Sequence, residues 1–296
     1  MTKIAGWINI YKPTGISSAK VVALVKKNLP KGVKIGHAGT LDVEAEGVLP
    51  IAIGSATKLI RFAQDATKEY KFEVKFGSAT DTADASGAII DSTDYIPSKK
   101  EAQEICNKFL GKIKQVPPIY SAIKVNGKRA YDLARQGEDF KLKEREISIY
   151  SLEMLDYNLE FGSATYHTTC SKGTYIRTLA EDISLSLKSL GYVLSLARIR
   201  VGVFDVTNAI TLPHIADLNL EALLEFIQPM EVVLDDIPVV EVDVDIAQKI
   251  IFGRQVTLEV PDCEQIWIRY KGSILAVGSV NSSYFDSERV LKVELD

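Results

Sequence analysis

The hydrophobic positions follow two rhythms along this chain. Over residues 69–76, Tyr70, Phe72, Val74 and Phe76 alternate with Lys71, Glu73 and Lys75. That period of two marks a strand with one buried face. "REISIYSLEMLDY", "SATYHTTCS" and "YVLSLARIRVGVF" read as further strands. Elsewhere the apolar spacing widens to three and four. "SSAKVVALVKKNL" (17–29) predicts an amphipathic helix with a serine cap and a basic end. "SKKEAQEICNKFLG" (98–111) predicts a helix opened by a Ser98/Glu101 capping box and closed by Gly111. "GTYIRTLAEDISLSLKSLG" (173–191) predicts another, closed by Gly191. "KQVPPIYSAIKVNGKRAYDLARQG" (114–137) reads as an extended run, a turn at Asn126 and Gly127, and a short helix ending at Gly137.

Residues 212–236 read as helical and then irregular. From about 237 the pattern turns to short strands: "VVEVDV", "RQVTLEV", "QIWIRYKG", "ILAVGSV" and "RVLKVEL". A boundary is expected in "VLDDIP", near 235. The expected class is α+β. A central mixed, mostly antiparallel sheet with flanking helices would occupy 1–235, and a small β-barrel-like domain 236–296.

Charge changes the picture. The net of -4 conceals an asymmetry. Residues 205–296 hold 6 Lys+Arg against 17 Asp+Glu, whereas residues 1–204 hold 29 against 22. Only the first two thirds suit a polyanion. The segment 108–145 is the most basic, with 10 Lys+Arg against 4 Asp+Glu. No apolar run reaches the length of a membrane span, and "MTKIAGWINIYKPTG" lacks the apolar core of a signal peptide. Three scattered cysteines, Cys106, Cys170 and Cys263, make no disulfide framework. A reducing cytoplasm is the expected location.

The candidate chemistry narrows by elimination. His37, His167 and His214 are scattered and no Cys-x-x-Cys exists, so a metal site has no support. The glycines of "KIGHAGTLDVEAEGVLPIAIGSATKL" (34–59) fit neither dinucleotide-binding nor P-loop spacing. No G-x-S-x-G elbow is present. What remains is a lone carboxylate, Asp42, in "GTLD". Taken alone it reads more readily as a turn residue than as a catalyst.

Five segments taken together alter that balance. "GWINIYKPTGISSAKVV", "KIGHAGTLDVEAEGVLPIAIGSATKL", "KEYKFEVKFGSATDTADASG", "QVPPIYSAIKVNGKRAYDLARQG" and "CSKGTYIRTLAEDI" stand in one order. Their content and order resemble the TruB-type tRNA pseudouridine synthases over about residues 4–204, and less distinctly beyond. The resemblance implies a pseudouridine synthase fold that isomerises uridine 55 in the T-loop of tRNA without metal, nucleotide or other cofactor. The C-terminal strands would form a PUA-like module. Asp42 matches the catalytic aspartate, acting either on C1′ as a nucleophile or on the C2′ proton. Arg177 matches the arginine that would hold it by a bidentate contact. Tyr70 matches the tyrosine stacked on the target base, and Tyr175, Lys12 and Leu196 match further pocket positions. His37 matches the histidine that fills the space left by a flipped-out base. The basic run 108–145 matches a mobile segment that folds over RNA. The expected partner is the tRNA T-arm, bound by a monomer with no membrane and no obligate protein partner. The acidic C-terminal domain is expected to add little affinity. Two other readings stay open at this point: a tRNA-folding chaperone, and a guide-RNA-dependent relative acting on other RNA.

Overall fold

A computed structural model describes residues 4–121, 123–125, 127–138, 140–216 and 218–291. Eight strands form the main sheet: β1 (Gly6–Lys12), β2 (Glu46–Ile53), β3 (Lys68–Phe76), β4 (Gly111–Gln115), β5 (Arg145–Asn158), β6 (Ser163–Cys170), β7 (Gly191–Val201) and β8 (Ile210–Thr211). Their order is β8-β1-β2-β7-β3-β6-β5-β4, with short strands Ile35–His37 on β2 and Phe204–Asp205 on β7. Two contacts are parallel, β1 with β8 and β2 with β7; the others are antiparallel. The fold is thus α+β with a mixed, mostly antiparallel sheet.

Alternation sets the buried face. Tyr70, Phe72, Val74 and Phe76 point together into one core, with Tyr166 and Ile183. That core serves β3 to β7 and the helix Ile176–Ser186. Residues of β1 and β2 divide between two other clusters. The two halves of the sheet meet where β2 pairs with β7, through only Ala197↔Glu46 and Arg198↔Gly47.

The helix starts follow their caps. Ser17 accepts the Lys20 N–H ahead of the helix Ser18–Lys27, and the Ser98/Glu101 capping box is complete. The predicted glycine ends fare less evenly. Gly137 does follow the helix Ala130–Arg135 in the left-handed conformation. Gly111 is also left-handed, at φ 86, but it follows a 3-10 turn and its cap Leu110 rather than the α-helix itself. The helix Lys99–Glu104 tightens into a 3-10 turn over Ile105–Phe109, which sets Cys106 and Phe109 into the core, and Gly111 begins β4. Gly191 likewise stands in β7, where a Cβ would lie 2.1 Å from Ser184 Oγ. Lys188, at φ 59, takes the left-handed position instead. Of the turn expected at Asn126 and Gly127, Asn126 lies outside the described residues; the flanking strands Lys124–Val125 and Lys128–Arg129 do pair.

Beyond the main sheet come helices Leu212–Ala216 and Leu220–Leu224 and a 3-10 turn, Met230–Leu234. A second, curled sheet contains β9 (Val239–Glu241), β10 (Val256–Thr257), β11 (Cys263–Tyr270), β12 (Ser273–Asn281) and β13 (Tyr284–Val290), in the order β9-β11-β12-β13-β10. "VVEVDV" is strand only to Glu241. Asp243 then accepts the Ile246 N–H and starts the helix Val244–Ile251, since a side-chain cap offers the backbone an alternative to the ladder. The strand expected in "RVLKVEL" begins earlier, at Tyr284, and residues 292–295 of it lie outside the described ones. Trp267, Ile274, Val277 and Leu291 pack against Trp7, Phe62 and Phe204, so this sheet shares a core with the main body.

Candidate active site

The "GTLD" turn is held from several sides. Near the start of β2, Gly47 has φ 110, and a Cβ there would stand 2.1 Å from the Arg198 carbonyl oxygen. Only glycine lets the two strands come this close. The buried Arg198 side chain donates to the carbonyls of Gly39 (3.2 Å), Thr40 (3.4 Å) and Val48 (2.8 Å). Ser18 Oγ donates to the Leu41 carbonyl and accepts the Leu41 N–H, each at 2.9 Å. Lys12 Nζ donates to the carbonyls of Pro13 (2.8 Å), Ile16 (2.8 Å) and Val43 (3.2 Å). Both chain neighbours of Asp42 are therefore pinned.

Asp42 itself remains accessible, its side chain 43% exposed, and it faces Arg177, whose side chain is 5% exposed. Arg177 Nε lies 3.0 Å from Asp42 Oδ2 but lacks hydrogen-bond alignment. The bidentate contact expected from the resemblance does not form, because the other two guanidinium nitrogens are engaged elsewhere. Nη1 donates to the Thr82 carbonyl at 3.1 Å and lies 3.7 Å from Asp84 Oδ2, while Nη2 donates to the Tyr120 carbonyl at 2.9 Å. The carboxylate is held by charge at one edge and keeps Oδ1 free of this arginine.

Two spaces meet at this pair. One is a pocket of about 80 Å³ that includes Asp42, Tyr70, Tyr175, Arg177 and Leu196 in its lining. The other is an open cleft of about 750 Å³ that reaches His37, Asp84, Arg129, Tyr131 and Arg135 as well as Asp42 and Arg177. The basic segment contributes one wall of the cleft. Tyr70 belongs both to the core and to the pocket wall, and burial pushes its phenol up, against the pull of Arg198. Tyr175 is likewise raised by burial. Burial, then Arg198 and Arg129, lower the His37 imidazole and favour its neutral form; its Nδ1 is buried without a hydrogen-bond partner among the described residues.

Of the residues singled out in the sequence, Asp42, Tyr70, Tyr175, Arg177, Leu196 and His37 converge here. Lys12 does not share a wall with them. It is wholly buried behind the loop, its ammonium is occupied by carbonyls, and burial lowers it to about 8 against the attraction of Asp42. Asp84 and Arg198 went unrecognised. "DTADASG" reads only as a loop, yet Asp84 Oδ1 accepts from Thr82 Oγ1 (2.7 Å) and from Ser86 N–H (3.0 Å), which turns Oδ2 toward Arg177. Arg198 interrupts the apolar residues of "LARI", a signal that a buried cation needs partners. Among the described residues no group of His, Cys, Asp and Glu could hold a metal ion, and no helix is long and apolar enough to cross a membrane.

Comparison with known proteins gives a consistent result. Residues 26–176 match the N-terminal domain of the TruB family pseudouridylate synthases, and residues 177–235 the tRNA pseudouridylate synthase B C-terminal domain. The tRNA pseudouridine synthase B of Rickettsia bellii is 52% identical over 97% of this chain and 98% of its own length. That of Rickettsia akari is 51% identical over the same shares. Among solved structures, one of a Cbf5-Nop10-Gar1 complex aligns with a TM-score of 0.73 at 25% identity, covering 96% of this chain and 84% of the other. An H/ACA RNP bound to a substrate RNA containing 2′-deoxyuridine aligns at 0.72 and 23% identity, covering 97% and 85%; it supports the fold alone.

Proposed function

The chain belongs to the TruB family of pseudouridylate synthases, and on that premise we propose that it isomerises uridine 55 of tRNA to pseudouridine, with Asp42 as its catalytic carboxylate. It is a tRNA-modifying isomerase. The observation that carries the assignment of Asp42 is its ion pair with Arg177 at the mouth of a pocket walled by Tyr70, Tyr175 and Leu196.

The pocket is too narrow for a stacked nucleotide with its neighbours, so the target base must leave the T-loop stack and enter alone. Tyr70 offers its ring to one face of the base, and Leu196 closes the wall. The neutral His37 imidazole, in the adjoining cleft, fills the vacated position in the loop with little desolvation cost. The N1–C1′ bond then breaks with its electron pair on the uracil. Asp42 promotes this either by bonding to C1′ or by taking the C2′ proton. The free base turns and C5 bonds to C1′. C5 gives up its proton, N1 gains one, and Asp42 returns to its starting state. Either route uses the ionised carboxylate, and Arg177 supplies the compensating charge beside it.

The basic segment is proposed to lie along the T-arm phosphates, with Arg129 and Arg135 in the cleft wall as cations. On this reading the protein acts as a monomer in the cytoplasm without a protein partner.

Replacement of Asp42 by Asn tests the assignment. An unmodified T-arm RNA carrying C5-tritiated uridine should release tritium with the parent protein. With Asp42→Asn, release should fall at least about a thousandfold, while tRNA binding stays within about twofold. Undiminished release would sink the reading.

A further inference from the structure

We propose that Gln115 and Arg145, register partners that bracket residues 116–144 of the basic segment, are positioning residues that fix Tyr175. The inference rests on the functional reading above and extends it to residues outside the pocket.

Gln115 ends β4 and Arg145 begins β5, and the two are register partners. Everything between them belongs to the basic segment. The side-chain amide of Gln115, 1% exposed, holds both backbone groups of one residue. Its Nε2 donates to the Tyr175 carbonyl at 3.3 Å, and its Oε1 accepts the Tyr175 N–H at 3.1 Å. Arg145 addresses the ring of the same residue, with its guanidinium carbon 4.5 Å from the ring centroid. Tyr175 is therefore held through its backbone by Gln115 and through its ring by Arg145.

The Arg145 side chain is hard to explain as scaffold. Its Nε and Nη2 are buried, and among the described residues neither has a hydrogen-bond acceptor. Guanidinium N–H groups left unpaired are costly, and an apolar side chain would fill the space more cheaply. The contact retained is the one with the Tyr175 ring, where a cation is attracted to the π-face. Tyr175 lines the pocket while Arg145 does not, so the arginine acts through the tyrosine.

The segment also reaches the first turn of the next helix. The Val116 carbonyl accepts from Thr178 Oγ1 at 3.3 Å, and the Tyr120 carbonyl accepts from Arg177 Nη2. The placement of the segment and the shape of the pocket are thereby one arrangement. RNA held along the segment stabilises the arrangement in which Tyr175 and Arg177 stand ready.

A double-mutant cycle tests this, with single-turnover rate and tRNA affinity measured separately. Arg145→Met should slow pseudouridine formation about tenfold with affinity within about twofold, and Arg145→Lys should recover most of the rate. In a Tyr175→Leu background, Arg145→Met should add less than about twofold. Losses that multiply, or a tenfold loss of affinity at unchanged rate, would overturn the proposal. If Arg145→Met fails to fold, Gln115→Glu takes its place in the cycle, because it removes the donor to the Tyr175 carbonyl at constant shape. A readout without activity separates this proposal from the functional one. With 3-fluorotyrosine at position 175, the fluorine resonance of the RNA-free protein should move in Arg145→Met or Gln115→Glu. An unmoved resonance overturns the positioning role whether or not the protein makes pseudouridine. A moved resonance in a protein whose parent form makes none upholds the positioning role and overturns the function.

Discussion

The main body and the C-terminal sheet are held together by different means. Lys12, Lys68, Arg177 and Arg198 are buried in the main body, and each donates to main-chain carbonyls. From Asp205 onward no described polar or charged residue is buried; aliphatic side chains, Trp267, Tyr270 and Phe285 form that interior. Burying a cation costs several kcal/mol unless its hydrogens are satisfied. The second sheet shows that a sheet on this chain stays together without that cost. Buried cations in the first body therefore call for a separate reason, and three of the four touch the Asp42 loop or Asp42 itself. Lys68 is the exception. Its ammonium takes up carbonyls of Ala63, Gln64 and Ala66 at the end of the helix Ile60–Asp65, which is architecture.

The largest effect expected from this contrast is at Arg198. Arg198→Leu strips donors from Gly39, Thr40 and Val48 together. It should lower unfolding free energy by about 3 kcal/mol in urea titrations and the rate of pseudouridine formation by about a hundredfold. A variant that lost stability while keeping its rate would place Arg198 with Lys68, as architecture alone.

A middle-sized effect concerns pH. Burial lowers Lys68 and Lys12 from 10.5 to about 8 in the folded protein. Below about 8 folded and unfolded forms both carry the protons. Between about 8 and 10.5 the unfolded chain keeps protons that the folded one has released, so stability rises with pH across that window. Lys68→Met should flatten that rise by about 2 kcal/mol between pH 8 and 10 in urea titrations. An unchanged slope would mean that the buried ammonium is no harder to keep charged than an exposed one.

The smallest effect belongs to the second sheet. Lys249 and Arg254 share a surface cleft there with Asp245 and the exposed Phe252. Arg269 is paired with Glu241. Removing Lys249 and Arg254 together should raise the tRNA dissociation constant less than about threefold at 150 mM salt. The pair Arg129→Ala and Arg135→Ala should raise it about tenfold, an effect that fades with added salt. Equal losses would end the functional distinction between the two regions. Point changes suit this test better than removal of residues 238–296, which would uncover Trp7 and Phe62.

Much of this was legible in the chain, and what was not has a common cause. Period-two alternation places Tyr70 on the buried side of β3, and Ser17 and Ser98 mark helix starts, because both signals repeat locally. Asp42 and Arg177 are legible only through resemblance, since nothing in the 134 intervening residues encodes their approach. Arg198, Asp84 and Gln115 escaped because each acts through main-chain or single side-chain contacts that follow no period. Gly191 departs from its expected place for a related reason. A glycine after a helical pattern resembles a cap, but at Gly191 the demand comes from Ser184 across the core, at a distance the local pattern does not carry.

The two-residue join between β2 and β7 has a mechanical consequence. Asp42 hangs from one half of the sheet, while Tyr70, Tyr175, Arg177 and Leu196 hang from the other. A slip of about one ångström along that join would part Asp42 from Arg177. The halves are stiff and the joint is thin, so the ion pair works as a latch whose closure reports their alignment. The pocket is lined from both sides of the joint, so on the proposed function a nucleotide seated there would act as a splint across it.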